Sequence, residues 1–229
     1  MGKQENINRI YEVFEKYTLN GKLDACPCGC ISEKDENKLY SRNLKKLTED
    51  DLAYYARKAI TTWGNIFDYK DFLPRVLEIY SQKGNSGLID LGAIYNKLEY
   101  GNWREWEEGE QIIIMNFVKS CWIESVNQKL NNDIYSDLTD FSCFFSQQEL
   151  IELWNYPTNK IALRNFVNYF YHNGNYFIRK HCETELAHLL SKPNLIKELE
   201  KEFFRIESKD EEYSSEISVV LQLIESIGN

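Results

Sequence analysis

Three cysteines alternate with other residues in one short segment, at Cys26, Cys28 and Cys30. Thiolates are the ligands that zinc and iron–sulfur clusters take from proteins, and Gly29 lets the backbone fold round an ion. Structural zinc sites use cysteines two to four residues apart and four ligands in all. Here one residue separates neighbouring cysteines, so a metal site with zinc as the candidate ion needs a fourth ligand from Cys121, Cys143, Cys182 or a histidine.

The cysteine cluster also has interpretations that involve no metal. The chain contains 6 cysteines, and in a cytosolic protein these are expected to be reduced. The segment is then a surface loop of thiols, or a redox-responsive pair. A catalytic cysteine is disfavoured because it needs a nearby base, and the 3 histidines lie far away in sequence.

A second set of ligand-type residues occurs at His181, Glu185 and His188. Their spacing of four and three places them on one face of a helix, and two imidazoles with a carboxylate form mononuclear iron or zinc sites. The alternative is the exposed polar face of an amphipathic helix. His181 and Cys182 are also the candidates to complete a metal site with the N-terminal cysteines.

Aromatic residues make up 14% of the chain and are dense around Trp103, Trp106 and Tyr171. At helical spacing, large rings are expected to fill the space between helices. Because Tyr and Trp are also enriched at protein interfaces, a binding groove is the alternative. These three residues are the candidates for it.

The elements that position these residues are predicted to be helices. Ile7, Ile10 and Phe14 follow the spacing of one helix face. Thr48 and Ser146 each precede an acid by three residues, which is the pattern of a capping box. The helix that follows Thr48 is predicted to continue as far as Gly64 and to bury an apolar stripe made of Leu52, Tyr55, Ala56, Ala59, Ile60 and Trp63.

The pattern as a whole predicts an all-α fold of antiparallel helix pairs, because short connections favour antiparallel neighbours. Two arrangements stay open, a HEAT-like curved array and an irregular helical bundle. We expect one helical domain over residues 1–229, with a cysteine-bearing segment at 19–47. An ion bound there would tie this segment to the helices.

Three segments of the first half resemble a group of uncharacterised bacterial proteins with a cysteine-rich N-terminal segment before a helical body. They are residues 26–30 (Cys-Pro-Cys-Gly-Cys), residues 61–64 (Thr-Thr-Trp-Gly) with 72–75 (Phe-Leu-Pro-Arg), and residues 100–106. The resemblance implies a bacterial cytosolic origin. It implies no activity.

Charge and missing motifs narrow the function. The net charge of -9 disfavours nucleic acid, whose phosphates are bound by Lys and Arg. No apolar stretch approaches the roughly 20 residues that span a bilayer, so we expect a cytoplasmic protein without a membrane partner. Phosphate-binding, nucleophile-elbow and dinucleotide motifs are absent, which disfavours an enzyme. We predict a protein-interaction module; the alternative is a metal-binding or redox-responsive protein that uses Cys26, Cys28 and Cys30.

Overall fold

A computed structural model describes residues 2–19, 21–179, 187 and 189–228. Within these residues every regular element is helical, so the predicted all-α fold is confirmed. The α-helices are α1 (Lys3–Phe14), α2 (Glu33–Leu39), α3 (Glu49–Lys58), α4 (Ile66–Lys83), α5 (Leu91–Tyr100), α6 (Glu108–Asn127), α7 (Ile134–Phe141), α8 (Gln147–Leu153), α9 (Lys160–Arg179), α10 (Leu195–Ile206) and α11 (Glu211–Gly228). The choice between a curved array and an irregular bundle stays a prediction.

The predicted capping boxes begin two of these helices. The backbone N–H of Thr48 donates to the Asp51 carboxylate at 2.8 Å, and the Asp51 N–H donates back to the Thr48 hydroxyl. Ser146 and Glu149 form the same reciprocal pair at the start of α8. Each box satisfies N–H groups that the first turn of a helix leaves without partners.

The chain divides into two compact units, Met1–Cys121 and Trp122–Asn229. The residues of α6 up to Cys121 belong to the first unit, and those from Trp122 belong to the second. Each unit has its own set of buried apolar side chains. The expectation of one domain over 1–229 stays a prediction.

In the first unit α1 packs on α4, and α3 packs on α2, α4 and α5. The predicted stripe of α1 is buried, with Ile7, Ile10 and Phe14 each at most 3% exposed. Tyr55 of α3 contacts Phe72 of α4, with ring centroids 4.6 Å apart. Burial of apolar side chains is the main stabilising contribution of such a core.

A buried ion pair joins α4 to α6 in the first unit. The Lys70 ammonium lies 2.7 Å from the Glu110 carboxylate and 4.1 Å from the centre of the Trp106 ring. The Tyr17 hydroxyl donates to the same carboxylate. Burial alone would raise the pKa of Glu110, but the hydrogen bonds from Lys70, Tyr17 and Lys16 outweigh it and hold the pKa below its usual value.

In the second unit α9 and α10 pack on α11, and α7 packs on α8 and α9. Trp154 lies fully buried within it, with the rings of Trp122, Tyr156 and Tyr169 at 5.1 to 6.2 Å. The indole N–H of Trp154 donates to the Ala162 carbonyl, so its burial leaves no unsatisfied donor.

The end of α3 differs from the predicted one. The helix stops at Lys58, and residues 59–64 form a tight turn rather than another helical turn. Ile60 adopts φ 65, in the left-handed region, and its N–H donates to the Trp63 carbonyl. Trp63 is nevertheless buried as predicted, at 1% exposure against the ring of Tyr55.

We predict that Trp63→Ala lowers the free energy of unfolding by about 3 to 5 kcal/mol, the usual cost of emptying an aromatic site in a core. Chemical denaturation followed by circular dichroism measures this. Trp63→Phe is the matched control, because the indole N–H has no hydrogen-bond partner among the described residues. That variant keeps a ring and loses less stability. Equal losses for the two variants would contradict this account.

Candidate metal centre

The three N-terminal cysteines lie on a segment that we call the thiol loop, residues 25–31. Two backbone hydrogen bonds fix its first half to the turn after α3: the Cys26 N–H donates to the Thr62 carbonyl at 2.9 Å, and the Gly64 N–H donates to the Asp24 carbonyl at 2.7 Å. Ala25 and Trp63 thereby form an isolated antiparallel bridge. The loop runs alongside the buried Trp63.

The second half of the thiol loop is held from α3 and by the start of α2. The Tyr54 hydroxyl donates to the Cys30 carbonyl at 2.6 Å. Ser32 then begins α2 with a capping box. Between these points Gly29 adopts φ 74, a conformation that disfavours every residue with a Cβ. The space round Gly29 is open, so backbone conformation is the reason for a glycine here.

These hydrogen bonds bring the three sulfur atoms together. All lie within 4.8 Å of one another, and the Cys28 and Cys30 Sγ atoms are 3.0 Å apart. In a tetrahedral zinc site with Zn–S bonds of about 2.3 Å, the sulfur atoms are about 3.8 Å apart. Shifts of about 1 Å would therefore suffice, and the cluster is close enough to hold a metal ion.

The three thiols have different environments. Cys28 is exposed, whereas Cys26 and Cys30 are half-buried. Hydrogen bonds from the Cys26 and Cys30 thiols lower the pKa of Cys28 to about 7. The hydrogen bond to Cys28 raises the pKa of Cys30, and burial adds to that rise. Cys28 is therefore the thiol of this pair that loses its proton first.

The fourth ligand is not supplied by the described part of the chain. There, the group of His, Cys, Asp and Glu side chains close enough to share an ion consists of Cys26, Cys28 and Cys30. His181 and Cys182 lie outside the described residues, as do Glu185 and His188. Their role as ligands stays a prediction.

The aromatic candidates have contrasting environments. Trp103 and Trp106 are buried in the first unit at 2% and 9% exposure, and the Trp106 indole N–H donates to the Gly101 carbonyl. This is the environment expected of core residues. Tyr171 is exposed on α9 and lines a cleft of about 720 Å³ with Arg164 and Glu216. A binding role for the three residues stays a prediction.

Two residues of the site were not among the predicted ones. Tyr54 precedes the buried Tyr55 and falls outside the apolar stripe, so helical periodicity gave no reason to select it. Thr62 contributes only its backbone carbonyl to Cys26, and any residue type carries that group. The nearest residues that the sequence patterns single out are Trp63 and Gly64.

No protein-family model, curated protein or solved structure matches this chain. The helical body and the cysteine-rich segment of the predicted resemblance are both present. Among the described helices, none is long and apolar enough to span a bilayer.

We predict that Cys28 is alkylated faster than Cys30 near neutral pH, because the thiolate is the reactive form. The thiolate fraction rises as pH increases through the pKa, so the Cys28 rate should climb with a midpoint at about pH 7. Iodoacetamide labelling of the reduced, metal-free chain, read by peptide mass spectrometry across pH, measures both rates. A Cys30 rate that rises at lower pH than the Cys28 rate would contradict the assigned hydrogen bonds.

Proposed function

We propose that this chain binds a thiophilic divalent metal ion, zinc first, through Cys26, Cys28 and Cys30. The observation that carries the proposal is the convergence of three sulfur atoms within 4.8 Å on one loop. Reduced thiols are good ligands for zinc once they lose their protons.

The hydrogen bonds that anchor the thiol loop support reversible binding. A site whose ligand residues are already ordered binds more tightly, because binding then costs less conformational entropy. Here the bonds to Cys26 and Cys30 come from Thr62 and Tyr54 and involve no ion. The ion therefore adds to a loop that is already positioned, and its loss leaves the helices folded.

The number of chain ligands decides what else the ion can do. Three thiolates leave one position of a tetrahedral zinc ion for a further ligand. His181 or Cys182 is the proposed chain ligand for a closed site, and a water or small thiol takes the position in an open one. The redox-responsive version of the same site needs a two-electron oxidant: Cys28 and Cys30 would lose two protons and two electrons to it as their sulfur atoms, 3.0 Å apart, join in a disulfide.

A second proposal is a protein-interaction module in the bacterial cytosol. The observation that favours it is a pair of exposed rings in the first unit, Phe67 at 64% and Tyr100 at 60%. Ile66, next to Phe67, lies 2.6 Å from the position that a Cβ on Gly101, next to Tyr100, would occupy. The segments that carry the two rings therefore meet at Ile66 and Gly101, and exposed aromatic residues are enriched at interfaces. The net charge of -9 favours a protein partner over nucleic acid.

We predict one zinc ion per chain in protein purified under reducing conditions, measured by elemental analysis. Titration against a chromophoric chelator should show that Cys28→Ser weakens zinc binding by roughly 100-fold or more, because one tethered ligand is lost. Cys143→Ser is the matched control, an exposed thiol of the second unit, and should bind zinc like the parent chain. Absence of stoichiometric metal, or equal effects of both variants, would refute the proposal.

We also predict that Tyr54→Phe weakens zinc binding about fivefold, since it removes one hydrogen bond that positions the loop, worth about 1 kcal/mol. The ring that lies 6.3 Å from Trp63 remains. Tyr135→Phe, on an exposed tyrosine of the second unit, is the control. Unchanged affinity in Tyr54→Phe would show that the Cys30 carbonyl bond does not position the ligands.

A further inference from the structure

The thiol loop provides three sulfur ligands from residues i, i+2 and i+4, and no fourth His, Cys, Asp or Glu of the described chain joins them. We propose that the loop is a three-coordinate site for trivalent arsenic, bound by Cys26, Cys28 and Cys30 together. This inference rests on the proposed function, because it uses the same thiols, and it names a further ligand class for them.

The coordination number favours this ligand. Trivalent arsenic forms three bonds to sulfur in a pyramid, and its lone pair occupies the remaining direction. Three thiols therefore complete its coordination, whereas zinc needs a fourth ligand. Arsenic–sulfur bonds are close in length to zinc–sulfur bonds, about 2.3 Å, so the sulfur atoms need shifts of similar size.

The thiol loop can make these shifts without disturbing the helices. Its anchors are the backbone groups of Cys26 and Cys30, which leaves the three side chains able to rotate. The space round Gly29 is open, so nothing obstructs a small contraction of the loop. Cys28 is exposed and offers the first sulfur to an arriving ligand.

The binding step balances without an oxidant or a reductant. Arsenous acid, As(OH)3, exchanges its three hydroxyls for three thiols: three As–O bonds and three S–H bonds break, three As–S bonds form, and three water molecules leave. Arsenic stays trivalent and the sulfur atoms are not oxidised. Both arsenous acid and the trithiolate complex are neutral, so the acidic chain, at -9, neither attracts nor repels the ligand.

The test is an arsenite titration of the intact, reduced chain, read by native mass spectrometry and by the number of thiols that remain titratable. We expect one arsenic per chain and the loss of three titratable thiols. Cys26→Ser, Cys28→Ser and Cys30→Ser should each weaken binding by roughly 100-fold or more, because two thiols remain. Cys143→Ser should bind like the parent, and circular dichroism checks that every variant is folded.

The outcomes separate this inference from the zinc proposal. Loss of only two thiols per arsenic, or equal affinity in Cys26→Ser and the parent, overturns the three-coordinate site even if zinc binds. Release of bound zinc by arsenite, with three thiols consumed, supports both. If arsenite consumes three thiols while no zinc binds, the arsenic site stands and the zinc proposal falls. If neither ligand binds, both are refuted.

Discussion

The short bridge between Ala25 and Trp63 is the constraint on which the candidate site depends. Its two backbone hydrogen bonds, from Cys26 to Thr62 and from Gly64 to Asp24, join the thiol loop to the turn after α3. Each such bond contributes about 1 kcal/mol net, whereas burial of Trp63 contributes several times that. The buried ring therefore fixes the turn. The two hydrogen bonds in turn hold the cysteine-bearing loop against it.

Because the helical core already positions the thiol loop, an ion bound there would have a different role from the ion of a small zinc domain. In small zinc domains the metal supplies the free energy of folding, whereas the sequence predicts only that an ion bound in the 19–47 segment ties that segment to the helices. The structure also ties the segment to the helices through Thr62, Tyr54 and the start of α2. A ligand at the thiol loop then adds to a fold that already exists.

The sequence was sufficient for features that depend on residue type and spacing. The helical fold, the capping boxes at Thr48 and Ser146, the cysteine cluster and the burial of Trp63 all follow from such patterns. It was not sufficient for contacts that backbone groups make, because every residue type carries those groups. Ala59 and Trp63 keep the helical spacing although α3 has ended, because periodicity records which side chains are buried and not how the chain reaches them. The Tyr54 hydrogen bond needed the positions of two distant segments.

Ile60 gives the turn below the thiol loop a property of its own. A β-branched residue at φ 65 is strained by about 1 to 2 kcal/mol, and packing holds it there, with its Cδ1 atom 3.3 Å from the place that a Cβ on Gly101 would take. Strain brings the open form of a segment closer in energy to the closed one. The strain at Ile60 therefore offsets part of the stability that burial of Trp63 gives to residues 59–64. Because the Thr62 carbonyl that holds Cys26 belongs to this same turn, the conformation of Ile60 bears on the position of the first sulfur ligand.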